Sequence, residues 1–315
     1  FETISDFGGV ATLGINTLTV GIFNIWFGYQ DLLSGAKISL MLFFLAMVIL
    51  YIGKLNTESS SLSSSGKENH NLIKPNKVKN FLIAIFCSSI FVLTFVFPFL
   101  QLLIWSSQSF GNNIPIDLFF NSFLIGLVVA LAASLIAVIL SLGSFKNPNR
   151  IIFNFSTIGY AIPGSVLAVS LLLIFDFYFD LSITVFGIWG LILCLLIRFI
   201  TPLMRYLDAA LSNISGGALS AASIYSKSLF KTFKNIYFPY LYPSLLLGFL
   251  VVFIEVIKEQ PATLLLRPVG FETLSSKIYN FTSEGQWELA ANPSIAMIIL
   301  SLILVLILNN RVDNE

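Results

Sequence analysis

Runs of about 20 apolar residues recur along the chain, the number a helix rising 1.5 Å per residue needs to cross the hydrocarbon of a bilayer. They predict seven spans, at about 38–53, 81–105, 118–142, 152–174, 184–204, 240–260 and 293–309. Helix is the state expected for each, because backbone exposed to lipid must satisfy its own hydrogen bonds. The polar stretches between them alternate in basic content. Segments 54–79, 144–150 and 205–236 and the tail with Arg311 hold 12 of the 17 Lys and Arg residues. Segments 106–117 and 175–183 hold none, and Asp117, Asp176 and Asp180 lie there. Positive charge is retained inside, so the basic segments and the C-terminus are expected in the cytoplasm, with 1–36 and 261–292 on the opposite face.

Composition sharpens this into an all-α polytopic membrane protein. Hydrophobic residues make up 57% and charged residues 10% of the 315, and mean hydropathy is +0.90. Soluble domains carry about 25% charged residues and would expose large apolar patches at this composition. Cys87 and Cys194 fall inside apolar runs and read as small hydrophobes rather than as a disulfide or metal ligands. Segment 54–79 is rich in Ser, Lys and Asn, reads as a flexible cytoplasmic linker, and holds the lone His70. No Walker A loop, GxSxG or HExxH occurs, and the pairs Gly8-Gly9 and Gly216-Gly217 read as turns. An enzyme, a bound cofactor and a nucleic-acid partner are therefore not expected.

An internal repeat organises the chain. Gly14-Ile15-Asn16-Thr17-Leu18-Thr19-Val20-Gly21-Ile22-Phe23-Asn24 aligns with Gly270-Phe271-Glu272-Thr273-Leu274-Ser275-Ser276-Lys277-Ile278-Tyr279-Asn280. Five of the eleven positions are identical, and the register continues through Gln30 with Gln286 and Leu33 with Leu289. Upstream, Glu2 and Asp6 have the same spacing as Glu255 and Glu259. The reading is the end of one repeat at 1–53, a linker at 54–79, a complete second repeat of six spans at 80–309, and a tail at 310–315. Phe1 then corresponds to Ile254, which places about 170 further residues upstream in a longer protein. A leader peptide is not expected at Phe1.

Two stretches carry candidate chemistry. Segment 206–239 is too long and too patterned for a passive turn. Paired alanines at 221 and 222 let a short helix pack closely, and Pro239 and Pro243 suit the first turn of the next span. A surface helix lying on lipid headgroups is the competing reading. The second stretch, Glu255-Val256-Ile257-Lys258-Glu259, sets charge deep in a span. Glu255 lies ~22 Å along the helix from Tyr240, in the outer part of the membrane; a charge at the bilayer centre costs roughly 2.5–3.5 kcal/mol, so these residues are expected to face the bundle interior or water. Glu255, Lys258 and Glu259 at i, i+3 and i+4 share a face and can pair, as a structural ion pair or as the lining of a translocation path. Glu2 and Asp6 repeat the acids.

Segment 206–239 resembles the coupling-loop motif of ABC-importer permeases, a Glu-Ala-Ala core followed by Gly, Phe, Ile and Pro at set distances. Ala221, Ala222, Phe233, Ile236, Pro239 and Pro243 fall on that pattern and Leu219 precedes its core. Ser220 and Ser226 stand where glutamate and glycine are expected. The run from Lys258-Glu259 through Pro261, Thr263-Leu264-Leu265-Leu266-Arg267-Pro268 and Gly270-Phe271 to Thr273-Leu274 resembles the second half of fused, two-repeat iron(III) ABC-importer permeases. Tyr160-Ala161-Ile162-Pro163-Gly164 looks like the same family's helix-kinking segment, and Asp6-Phe7-Gly8 with Thr17 resemble the end of its first half.

The resemblance implies a type-1 permease bundle in a bacterial inner membrane. It also implies two cytoplasmic ABC ATPase subunits that use the ATP, and an external solute-binding protein that delivers ferric iron. A permease for thiamine, a polyamine or an oxyanion, an ion-gradient-driven secondary transporter and a membrane sensor or scaffold are the alternatives. Secondary carriers do not need the coupling loop, and a scaffold does not need acids repeated in both halves. Cysteines introduced at Ser64 and Ser228 are expected to resist a membrane-impermeant thiol reagent in intact cells. Labelling of both from outside would invert the topology.

Overall fold

The computed structural model describes residues 2–29, 31–57, 76–109, 116–145, 156, 158–179, 183–214 and 229–312. The described residues are helical, with no strand among them. In chain order they form α1 (Glu2–Ser5), α2 (Gly8–Thr12), α3 (Leu18–Tyr29), α4 (Leu32–Thr57), α5 (Lys77–Phe91), α6 (Phe97–Gln108) and α7 (Ile116–Phe145). There follow α8 (Gly164–Phe179), α9 (Ile183–Ser212), α10 (Leu229–Thr232), α11 (Phe238–Lys258), α12 (Pro261–Leu266), α13 (Leu274–Ser283) and α14 (Trp287–Val312). Six stretches are long and apolar enough to cross a membrane: Leu32–Ile52, Lys77–Gln108, Ile116–Ser144, Phe186–Ser212, Phe238–Lys258 and Trp287–Ile307.

The span expected over 152–174 differs. The helix there is α8, preceded by a 3₁₀ turn at Gly159–Ala161 and by extended backbone at Ile162. Pro163 lacks an N–H and disfavours helical backbone at the residue before it, so the helix restarts at Gly164. Residues 151–155 and 157 lie outside the described residues. So do 58–75 of the linker expected at 54–79, whose ends are helical up to Thr57 and from Lys77.

Helices α7, α9 and α11 pack on one another and form the core. Their contact faces mix small with branched residues, Val129, Ala130, Ala133 and Ala137 against Leu195, Leu203 and Val252, all at or near zero exposure. Small residues let helices approach closely where lipid supplies no hydrophobic driving force between them. At Gly248 a Cβ would come 2.9 Å from the Leu203 side chain. The continuous span formed by α5, the π-turn at Val92–Val96 and α6 behaves differently. Nothing in the α5–α6 span is buried within the protein, and Phe81, Phe86, Phe91 and Phe97 are exposed, as lipid-facing positions require.

Two π-turns share one cause. Val92–Val96 precedes Pro98 and Phe233–Tyr237 precedes Pro239. In each, the residue before the proline bonds five residues back, Phe97 to the Val92 carbonyl and Phe238 to the Phe233 carbonyl. The proline ring has no N–H and collides with the carbonyl four residues back, and a widened turn relieves both. Pro239 thus stands at the start of α11 as its sequence context requires.

The repeat is visible in the backbone. Gly14 and Gly270 both have left-handed φ, 70° and 86°, and each introduces a helix, α3 or α13, headed by an equivalent threonine. Thr17 Oγ1 accepts from Val20 N, and Thr273 Oγ1 from Ser276 N. Nothing lies within 4 Å of a Cβ built on either glycine. Alanine at either position is therefore expected to cost about 1–2 kcal/mol through backbone strain alone, with asparagine milder. Thermal unfolding of the purified protein in detergent checks this, and an unchanged Tm for both alanine variants would refute it.

Candidate functional site

The two repeat copies meet at their own equivalents. Phe23 and Tyr279 occupy the same repeat position and touch edge-on, with ring centroids 5.4 Å apart. Phe7 packs on both at 5.0 Å. Gly8 and Gly9, expected in a turn, begin the short helix α2 instead. Their lack of a side chain serves close approach, since a Cβ on Gly8 would overlap the Gln260 carboxamide of the other copy.

A cavity of about 610 Å³ opens beside this contact. The first copy contributes Ser5 and Asp6, the second Glu255, Lys258, Glu259 and Gln260, and Tyr160 and Arg198 close it. Four of the five residues expected on a translocation path therefore line one cavity. The fifth, Glu2, belongs to α1, and its side chain is outside the described set.

Asp6 and Glu259 are held in the same way. Asp6 Oδ1 accepts from Gly9 N at 3.3 Å and Glu259 Oε1 from Ala262 N at 3.4 Å, three residues on in each case. The Asp6 carbonyl accepts from Thr19 Oγ1 at 2.8 Å and the Glu259 carbonyl from Ser275 Oγ at 2.9 Å. Those hydroxyls in turn meet Thr17 and Thr273. The acids are thus repeat-equivalent in bonding as well as in spacing.

The expected pairing is met in part. Glu255 and Lys258 form an ion pair of 2.8 Å. Glu259 does not join them, because α11 ends at Lys258 and Glu259 is extended. Pro261 cannot donate to the helix, so the chain turns away there. Glu259 instead pairs with Arg198 at 2.7 Å, both side chains under 10% exposed. The other guanidinium arm, Nη2, donates to Ser5 Oγ of the first copy at 3.1 Å. Arg198 Nε has no partner among the described residues.

Arg198 was not among the residues singled out from sequence. Its signal was present: it is an arginine near the middle of a strongly apolar span, where a charge marks a functional position by default. Among the described residues, no group of three or more acids, histidines or cysteines could hold a metal ion. The carboxylates line the cavity with charge rather than form a cage.

Outside the spans, Glu272 is the hub of a second polar cluster. Its carboxylate takes Arg267 at 3.3 Å, Lys277 at 3.0 Å and Asn280 at 2.9 Å, and its carbonyl takes Asn121 at 3.0 Å. Burial pushes its pKa upward, but Lys277 and Arg267 outweigh that and hold it below the ordinary value.

Of the coupling-loop residues, Leu219, Ala221, Ala222 and Ser226 lie outside the described residues. Phe233 and Ile236 stand in the π-turn before α11, and Pro239 in its first turn.

A charge-lined cavity thus lies beside the contact of the two matched segments, within a bundle of membrane-length helices. Comparison with known proteins identifies the family. Residues 130–313 match the family model described as binding-protein-dependent transport system inner membrane component, and the chain belongs to that family. It is similar to the Fe(3+)-transport system permease protein FbpB 2 of Haemophilus influenzae (strain ATCC 51907 / DSM 11121 / KW20 / Rd), 27% identical over 311 residues. That match covers 94% of this chain and 60% of the relative, so the chain spans well under two thirds of the relative's length. Its fold is that of a chain in the crystal structure of a bacterial alginate ABC transporter in complex with alginate pentasaccharide-bound periplasmic protein. The TM-score there is 0.56 at 15% identity, over 74% of this chain and 94% of that one.

Gly164 abuts the buried pair: a Cβ there would overlap Arg198 Nη1 and Glu259 Oε1. Gly164→Ala is expected to lower stability by about 1–3 kcal/mol, as overpacking does. Thermal unfolding in detergent measures it, and a Tm equal to that of the parent would show that the pair has room to move.

Proposed function

We propose that the chain forms the membrane path of an ATP-driven importer for ferric iron, delivered from outside by a binding protein. The observation that carries this reading is the convergence of Asp6 from one matched segment with Glu255 and Glu259 from the other on a single cavity. Three carboxylates against Lys258 and Arg198 leave the cavity acidic, which attracts a cation. The printed name of the relative, an iron(III) permease, supports the choice of cargo.

In this reading Glu255, Lys258, Glu259, Asp6 and Glu2 line the path. Leu219, Ala221, Ala222, Ser226, Phe233, Ile236 and Pro239 form the coupling segment that receives two cytoplasmic ABC ATPase subunits. The basic segments and the C-terminus face the cytoplasm. ATP is bound and hydrolysed by those partners, and the chain holds no cofactor of its own. The division into a first-repeat end at 1–53, a linker at 54–79 and a second repeat at 80–309 belongs to the same proposal. The continuous run from α10 through the π-turn into α11 supports the coupling role, because a rigid rod transmits motion from its cytoplasmic end to the cavity.

The full-length permease, assembled with its ATPase and binding protein in proteoliposomes, should take up radiolabelled ferric iron only with ATP. Phosphate, spermidine and thiamine should not accumulate. Ala222→Trp should leave insertion intact and abolish uptake by blocking close packing of the coupling segment. Uptake of another solute in place of iron would overturn the assigned cargo, and normal uptake by the tryptophan variant would overturn the coupling segment.

A further inference from the structure

The Arg198–Glu259 pair does more than balance charge. Arg198 stands near the middle of α9, Glu259 directly follows α11, and Ser5 belongs to α1, so one guanidinium ties three segments together beside the cavity. The pair is almost fully withdrawn from solvent, and Gly164 presses on it from α8 with no space left between. The segment Tyr160 to Gly164 restarts its helix at this contact, because Pro163 prevents the helix from beginning earlier.

Separating the pair in place would leave two buried charges without partners, which is strongly unfavourable. Arg198 and Glu259 both line the cavity, so a path continued past this wall would need the guanidinium and carboxylate to part. Arg198 Nε is buried and has no hydrogen-bond partner among the described residues, so the guanidinium has one donor left to give when the pair rearranges.

We propose that Arg198 and Glu259 form the closed-state latch of the path, an interspan ion pair that parts during each transport cycle, with Gly164 and Ser5 as its supports. The latch rests on the transport reading above and makes no use of the identity of the cargo. Arg198 is a positioning residue here: it holds Glu259 and Ser5 together until the cycle releases them.

A native reporter stands beside it. Cys194 is one helical turn before Arg198 on the same helix and is fully buried. The test uses the assembled full-length transporter with Cys87, the exposed thiol, replaced by serine. Modification of Cys194 by a small methanethiosulfonate should be slow at rest and about tenfold faster during ATP turnover with the binding protein and cargo present. Equal rates at rest and in turnover would overturn the latch. A second arm measures ATP hydrolysis without binding protein. Glu259→Gln should raise it several-fold, and the exchange of Arg198→Glu with Glu259→Arg should return it toward the parent rate.

Basal hydrolysis unchanged in an inserted Glu259→Gln protein would also overturn the latch, leaving the pair a packing role. Should Glu259→Gln fail to insert, the thiol rates of the parent decide alone. Accelerated labelling with a cargo other than iron would sustain the latch and overturn the ferric reading, so the two failures are distinguishable.

Discussion

A charge inside a membrane-embedded bundle must find an opposite charge, and Arg198 with Glu259 is where this protein meets that demand most strictly. Moving either ion out of water costs several kcal/mol after relaxation, and only close geometry with further hydrogen bonds offsets it. Here Glu259 also accepts from Ala262 N, while its carbonyl takes Thr263 and Ser275. Much of the surrounding architecture follows from the need to keep this site paired. α11 ends one residue before the acid, α8 begins with the glycine that fits beneath it, and Ser5 is drawn in from the other copy.

Pseudo-symmetry sets the remaining geometry. Glycines 14 and 270 turn the chain, Thr17 and Thr273 cap the next helices, and Thr19 and Ser275 return to the backbone of the equivalent acids. The symmetry is broken by Arg267-Pro268-Val269, present between Leu266 and Gly270 with no counterpart between Leu13 and Gly14. Arg267 from this insertion joins the Glu272 cluster, a polar hub that the described residues around Asn16, the position matching Glu272, do not form.

Proline does the shaping within the helices. At 98 and 239 it widens the preceding turn without breaking the rod. At 163 and 261 it ends regular structure, and both of those breaks lie beside the cavity. The difference is positional: a π-turn absorbs the missing N–H inside a continuous helix, whereas the residues before Pro163 and Pro261 leave the ladder.

Local pattern is enough to read the helical membrane class, most span positions, the likeness of 14–24 to 270–280 and four of the cavity residues. Those features depend on composition, on runs of a set length and on residues near one another in the chain, so the amino-acid order carries them directly. The interruption at Ile162–Pro163 is partly legible: Pro163 marks a break, although the apolar run continues across it. The partner of Glu259 was not legible. Periodicity offered Lys258 one residue away, and helix geometry favoured a shared face that the break before Pro261 removes. Arg198 is 61 positions distant from Glu259, and the requirement that joins them is that both be buried where no water can replace the other. A pairing of that kind is decided by which spans pack together, and only the tertiary structure supplies it.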